Sequence, residues 1–371
     1  MPDFVKGLTL AQLFYEEAAR PILDSHFPGL AHSAALVGWS SEVLGFDDLT
    51  STDHNWGPRF VLFLSNEEHA RHAEAIDRVL SENLPVEFRG RPTHYAPEPG
   101  HDWPVFKRIE RGPVRHKIDI HTVGNYFTWY LGRDPLGELS AADWLTFQEH
   151  KLLGVTSGRV FHDGLGSLEA ARRKLAYYPE QVWLHLLVCE WLDIANEEAF
   201  VGRAGEVGDE LGSAVIMTRI VRHLMRLCFL LERVYAPYSK WFGTAFARLR
   251  CGPELTPLLV SALHARDWRE RERALAPAYE YVARMHNRLG ITAPVEEKVT
   301  PHGRPYLVIH AERFADALAA KVSDPELRSM SYHVGSVSQL IHGDHHTMHT
   351  PLCRALRTLY ESRTEKRSEV S

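Results

Sequence analysis

The sequence predicts an α+β fold, a mixed sheet in the N-terminal part followed by an all-helical bundle. Three observations predict it: strand-like segments fall before about residue 122, helical apolar spacing lies between them, and strand patterns become rare beyond about residue 140. Thr9-Leu-Ala-Gln12 has the pattern of a capping box, and Leu10, Leu13, Phe14, Ile22 and Leu23 keep helical spacing until Pro28-Gly29 ends the run. Ala34 to Val37 then reads as a short strand closed by Gly38. Phe60 to Leu64, rich in β-formers and preceded by Trp56-Gly57-Pro58, reads as a second. Glu67 to Leu80 carries Ala70, Ala73, Ile76 and Leu80 on one side, as an amphipathic helix does. Arg89 to Pro104 is a proline-rich loop, and Val114 to Thr122 is a third strand with Ile118 and Ile120 on one face. Beyond it, helices are expected from Pro179 through Trp191, over Asp209–Tyr235, Leu255–His264, Trp268–Leu289 and Glu312–Ala320, with a frayed polar tail. The expected domains are therefore 1–140, 141–361 and the tail 362–371, with the active cleft between the first two.

Composition narrows the function classes. Of 371 residues, 44% are hydrophobic and 24% charged, which excludes a disordered chain or a disulfide-stapled miniprotein. Forty-two Lys and Arg against 48 Asp and Glu give a formal charge of -6, so any polyanion site must be a local patch. The four cysteines lie far apart without a C-x-x-C, and Cys189 and Cys228 fall on apolar helical faces where inert buried thiols are expected. No signal segment or membrane-length apolar run is seen, so a soluble cytoplasmic protein with no membrane partner is expected.

The most informative residues are Gly38-Trp-Ser40-Ser41, Ser51-Thr-Asp53-His-Asn55 and Asp119. On strands, Asp53 and Asn55 would point one way, and Asp119 would point opposite Ile118 and Ile120, so two strands could present one oxygen cluster. Phosphoryl or nucleotidyl transfer needs such a cluster, because Mg²⁺ is held by a few carboxylates plus phosphate oxygens. The small residues after Gly38 let backbone N–H groups approach phosphates. The bland alternative is a polar turn at 51–55 and an exposed strand residue at 119.

Val37-Gly-Trp-Ser-Ser-Glu-Val-Leu-Gly-Phe-Asp-Asp-Leu-Thr-Ser-Thr-Asp-His-Asn-Trp-Gly-Pro-Arg59 resembles the signature of a bacterial family of uncharacterised proteins in the nucleotidyltransferase-like superfamily, which includes DNA polymerase beta and the aminoglycoside nucleotidyltransferases. The resemblance continues through Asp143-Trp-Leu, Tyr178-Pro, Phe200-Val-Gly-Arg203, Gly208 to Ser213 and Tyr235-Ala-Pro-Tyr-Ser-Lys-Trp-Phe242. It implies an N-terminal nucleotidyltransferase domain, a helical partner domain, an NTP donor (ATP first among them), Mg²⁺ and an acceptor hydroxyl or phosphate. A nucleic-acid acceptor is compatible with it. Asp53, Asn55 and Asp119 become the metal set. Asp53 would hold the metals, Asp119 would orient or deprotonate the acceptor, and Gly38, Ser40 and Ser41 would hold the triphosphate. Asn55 departs from the pattern, which has a second carboxylate there, and this opens the alternative of a weakened nucleotide-binding or regulatory protein of the same fold.

The helical half adds cations. Arg219, Arg222, Arg226 and Arg233 are spaced to share one helix face, with Arg203 and Lys240 flanking in sequence. Arg203 and Lys240 are candidates for the triphosphate, Lys240 by resemblance; the alternative for the row is a solvated charged face. His342-Gly-Asp-His-His-Thr-Met-His349 is the densest ligand cluster, placing His345 and His349 at i and i+4, but without the H-E-x-x-H glutamate.

Overall fold

Four strands form the main sheet of the computed structural model, which describes residues 4–52, 55–100, 103–301, 303, 305–330 and 334–361. They are β1 (His32–Leu36), β2 (Arg59–Leu64), β3 (Lys117–Thr122) and β4 (Arg159–Asp163), in the order β3-β2-β1-β4. β1 is antiparallel to both neighbours, while β2 and β3 run parallel, with Arg59 opposite Lys117 and Val61 opposite Asp119. The C-terminal end of β1 and the N-terminal ends of β2 and β3 thus share one end of the sheet.

Alternation then sorts the faces. Phe60, Leu62, Leu64 and Ile118 enter a core with Phe14, Tyr15, Ile76 and Leu80, drawn from helix α1 (Gly7–Phe14), the π turn after it and helix α2 (Asn66–Asn83). Each of these large side chains contributes about 1.5–3 kcal/mol by leaving water. The opposite face carries Arg59, Val61 and Phe63 beside Lys117, Asp119 and His121, and helix α3 (Val123–Leu131), which follows β3 directly, sets Tyr126 edge-on to Phe63.

Three local expectations need correction. The first helix begins at Gly7 with no side-chain cap, so Thr9 lies inside it and the Thr9–Gln12 pattern caps nothing. Strand β4 falls in a region expected to be helical, and it pairs with β1 as an edge strand. Asn55 is not on a strand: its φ is +53, a left-handed conformation that Asn tolerates, and β2 starts only at Arg59, after Gly57-Pro58.

By its internal contacts the chain divides into two units, Met1–Glu138 with His150–Ala176, and Leu139–Glu149 with Tyr177–Ser371. The second unit is helical. Its longest helices are α4 (Glu180–Glu197), which follows Pro179, α5 (Glu210–Leu231), capped by Asp209, and α6 (Trp268–Arg288), capped by Asp267. No described helix is long and apolar enough to cross a membrane. All four cysteines are buried free thiols.

Two buried acids in this unit set an expected pH dependence. Glu198 accepts the amides of Ile309 (2.7 Å) and Ala311 (3.0 Å), whereas Glu272 is met by the Leu307 backbone and its buried Oε1 has no hydrogen-bond partner among the described residues. Burial pushes both carboxyls up to about 7. A raised folded-state pKa stabilises fully below the unfolded value and loses that contribution as pH rises through the folded one. Stability of this unit should therefore fall between pH 5 and 8. Glu272→Gln should exceed the wild type at pH 8 by on the order of 2 kcal/mol and match it near pH 5. Urea denaturation at both values checks this, and an unchanged difference would contradict it.

Candidate functional site

The loop after β1 is built for close approach. Gly38 adopts φ +116, and a Cβ there would come within 3.3 Å of the Tyr126 hydroxyl. Its amide donates to Gly154 O at 3.2 Å, and a Cβ on Gly154 would meet that Gly38 carbonyl oxygen at 2.5 Å. The chain then turns through Ser40 and Ser41, whose carbonyls accept from Leu44 (3.2 Å) and Phe46 (2.9 Å). Beyond it, buried Asp47 accepts from the Gly7 amide at 2.7 Å and the Trp56 indole at 3.1 Å, anchoring the segment between β1 and β2.

Arg59, at the first position of β2, ties this loop to the sheet. Its guanidinium donates to Ser40 Oγ at 3.1 Å and to buried Glu42, Nε to Oε1 at 3.1 Å. Across the register, Lys117 Nζ donates to both carboxylate oxygens of Asp119, at 2.8 and 2.9 Å, and this pair is partly open to solvent. The Tyr95 ring lies 5.7 Å from Lys117 Nζ, and its hydroxyl donates to Asn55 Oδ1. Burial raises the Tyr95 and Tyr126 phenols, and the charges of Arg59 and Asp119 act on both. His121, two residues past Asp119, is held below its ordinary value by burial, with Asp119 opposing.

The structure therefore brings Gly38, Ser40, Asn55 and Asp119 to one end of one sheet. Asp53 lies outside the described residues, as does His54. Arg59, Lys117, Tyr95 and Glu42 join them without having been expected from the sequence. A signal existed for one of them, since Lys117 and Asp119 at i and i+2 on a strand must share a face. The others meet only through pairing across the sheet and loops.

The fit of Mg²⁺ can be judged from these groups. Asp119 is already neutralised by Lys117, and Asn55 Oδ1 accepts from Tyr95 while keeping a second lone pair. One carboxylate and one amide oxygen are too few alone, so these groups fit Mg²⁺ only with further oxygens, such as those of a bound phosphate.

In the second unit Arg203 and Lys240 lie on the helices Phe200–Glu206 and Ser239–Phe246. Arg203 pairs with Glu206 at 3.0 Å, and Lys240 Nζ lies 5.0 Å from the Trp241 ring centroid. The arginine row is interrupted. Arg219 binds Glu197, Arg226 is buried against Glu149 at 3.1 Å, and Arg233, beyond the helix end with φ +55, pairs with Glu180 at 2.6 Å over the Trp183 ring. Arg222 remains against the Phe242 ring, its Nε without a hydrogen-bond partner among the described residues. His345 and His349 keep their rings 5.2 Å apart, yet among the described residues only Glu190, Asp193 and His223 gather three ligand atoms.

Comparison with known proteins adds little beyond this. Residues 144–242, about a quarter of the chain, match the family model described as "Domain of unknown function (DUF4037)". Among solved structures, the chain is similar to a nucleotidyltransferase-like protein from Exiguobacterium sibiricum 255-15, at 11% identity over 84% of this chain and 91% of that one, with a TM-score of 0.32. A likeness of that size bears on neither fold nor activity. No curated protein matches the chain.

Proposed function

We propose that the end of the sheet holding Gly38, Ser40, Ser41, Asn55, Arg59, Lys117 and Asp119 binds an NTP, ATP in the first instance, and transfers its nucleoside monophosphate to an acceptor hydroxyl or phosphate. The observation that carries the proposal is the meeting of two cations, Arg59 and Lys117, with Asp119 and the Gly38–Ser41 loop, placed together by the Arg59–Lys117 and Val61–Asp119 register. Backbone amides and Ser40 of the loop would take up a phosphate, with Arg59 beside them as a bidentate donor. Lys117 would exchange Asp119 for a phosphate oxygen as the nucleotide enters. Asp119, thus released, would accept the proton of the acceptor hydroxyl while the acceptor oxygen bonds to the α-phosphorus and the bond from the α-phosphorus to the bridging β-phosphate oxygen breaks, releasing pyrophosphate. Asp53, Asn55 and Asp119 would hold Mg²⁺, which when bound supplies charge neutralisation on the phosphates and acidifies the acceptor hydroxyl.

A second reading has its own observation. Asn55 in place of a carboxylate, together with the Lys117–Asp119 pair, also suits a nucleotide-binding or regulatory protein that performs no transfer. Incubation with labelled NTPs, Mg²⁺ and a cell extract, followed by mass spectrometry, separates the two: a nucleotidylated product supports transfer, and NTP binding without product supports the regulator. Arg203 and Lys240 are proposed as further phosphate ligands. Lys240→Ala should then weaken triphosphate binding about tenfold while leaving monophosphate binding nearly unchanged, since an Nζ contact to a terminal phosphate is worth one charge-assisted hydrogen bond. Equal loss for both nucleotides, measured by calorimetry, would remove Lys240 from the site.

A further inference from the structure

Glu190 and Asp193 sit three residues apart on α4 and therefore on one side of it, facing His223 of α5. His223 Nδ1 is 2.7 Å from Glu190 Oε1 and 3.9 Å from Asp193 Oδ2, and the three ligand atoms all lie within 4.8 Å of one another. We propose that these residues form a binding site for a divalent transition-metal ion, zinc by preference, independent of the Mg²⁺ set and wholly within the second unit.

The donor chemistry selects the ion. One imidazole nitrogen and two carboxylate oxygens suit zinc, whereas Mg²⁺ and Ca²⁺ favour oxygen alone. Support behind the ligands is in place. Gln339 Nε2 donates to Glu190 Oε2 at 2.7 Å and to Leu186 O at 3.1 Å, and its own Oε1 accepts the Ser336 amide at 3.0 Å, so Glu190 Oε1 is held toward His223. Glu190 and His223 are buried, while 44% of the Asp193 side chain is exposed, which leaves the fourth ligand position open to water on that side.

The competing occupant is a proton on His223, which would make the cluster a simple ion pair. Two observations favour a metal over it. Asp193 accepts no hydrogen bond from any described residue, its nearest cation being His223 at 3.9 Å. One turn further along α4, Glu197 keeps a buried oxygen, Oε2, with no hydrogen-bond partner among the described residues, although its charge acts on both Asp193 and His223. A single proton shared with Glu190 satisfies neither carboxylate. Of the nearby arginines, Arg226 lies toward the other Glu190 oxygen, Oε2, at 3.5 Å and binds Glu149, Arg219 takes the first oxygen of Glu197, and Arg222 rests against the Phe242 ring.

The test uses the full chain, stripped with a chelator, dialysed and titrated with zinc chloride by calorimetry and with cobalt chloride by visible absorption. One zinc per chain should bind in the micromolar range or tighter, with the intense cobalt bands of a four-coordinate site. Asp193→Asn, which removes a half-exposed carboxylate and so preserves the fold, should weaken zinc at least tenfold, and His223→Gln should abolish the cobalt bands. A His345→Ala, His349→Ala double variant should retain the site. Affinity unchanged in Asp193→Asn, affinity lost in the double variant, or no stoichiometric zinc in the wild type would each overturn the proposal.

Discussion

Replacing Asp119 by alanine is expected to lower Mg²⁺-dependent nucleotide turnover by about 10²–10⁴-fold, the contribution of a positioned general base, while the fold survives. The fold should survive because Asp119 lies on the polar side of β3, its side chain 45% exposed and joined only to Lys117 in a partly solvated pair. Such a pair contributes roughly 0–1 kcal/mol. Lys117, relieved of its partner, should still meet phosphate, so NTP affinity should hold or rise as turnover falls. Pyrophosphate release together with equilibrium NTP binding measures both. Unchanged turnover in a folded variant would take Asp119 out of the reaction.

Arg226→Ala is expected to destabilise the second unit by about 3–5 kcal/mol, the cost of leaving buried charge without its partner. Arg226 donates to Glu149 at 3.1 Å and approaches Glu190 at 3.5 Å, and all three side chains are buried. Burial raises the Glu149 carboxyl, and Glu149 also accepts the Ala236 amide at 3.0 Å. Burial works against the Glu190 carboxylate too, but the His223 and Gln339 hydrogen bonds and the Arg226 charge hold it below the usual range. The double substitution Glu149→Gln, Arg226→Met should recover part of the loss, because it removes both charges and keeps an acceptor for Ala236. Urea denaturation followed by fluorescence of Trp183 and Trp191 reads the difference, and a loss below about 1 kcal/mol in the single variant would contradict a buried ion-pair network.

What the sequence made legible follows from which interactions are local. Ile118 and Ile120 reported the buried face of β3 and so put Asp119 on the other, because strand alternation is a property of the segment itself. The helices α4, α5 and α6 carry their stop and start signals within a few residues: Pro179 before the first, Asp209 and Asp267 before the others. Strand β4 was hidden because none of Arg159–Asp163 is buried and the segment has no apolar alternation; its signals are the glycines at 158 and 164, where a Cβ would strike the β1 carbonyls of Leu36 and His32. Asn55 was misplaced because Trp56-Gly57-Pro58 delays the strand to Arg59 and leaves Asn55 in a left-handed turn. The role of Arg59 depends on Glu42 and Ser40, 17 and 19 residues earlier, and that of His223 on Glu190, 33 residues earlier. No local pattern carries pairings of that range.

Mg²⁺-dependent formation of a nucleotidylated product, measured for the wild type and Asn55→Asp side by side, decides whether the sheet end transfers a nucleotide. Asparagine offers a neutral oxygen where a carboxylate would neutralise part of the cation, so the substitution should raise Mg²⁺ affinity and, in a competent site, turnover. Product is expected from the wild type, and the same product at lower Mg²⁺ from Asn55→Asp. No product from either protein, with NTP still bound to both, would contradict the transfer reaction and leave a nucleotide-binding protein in its place.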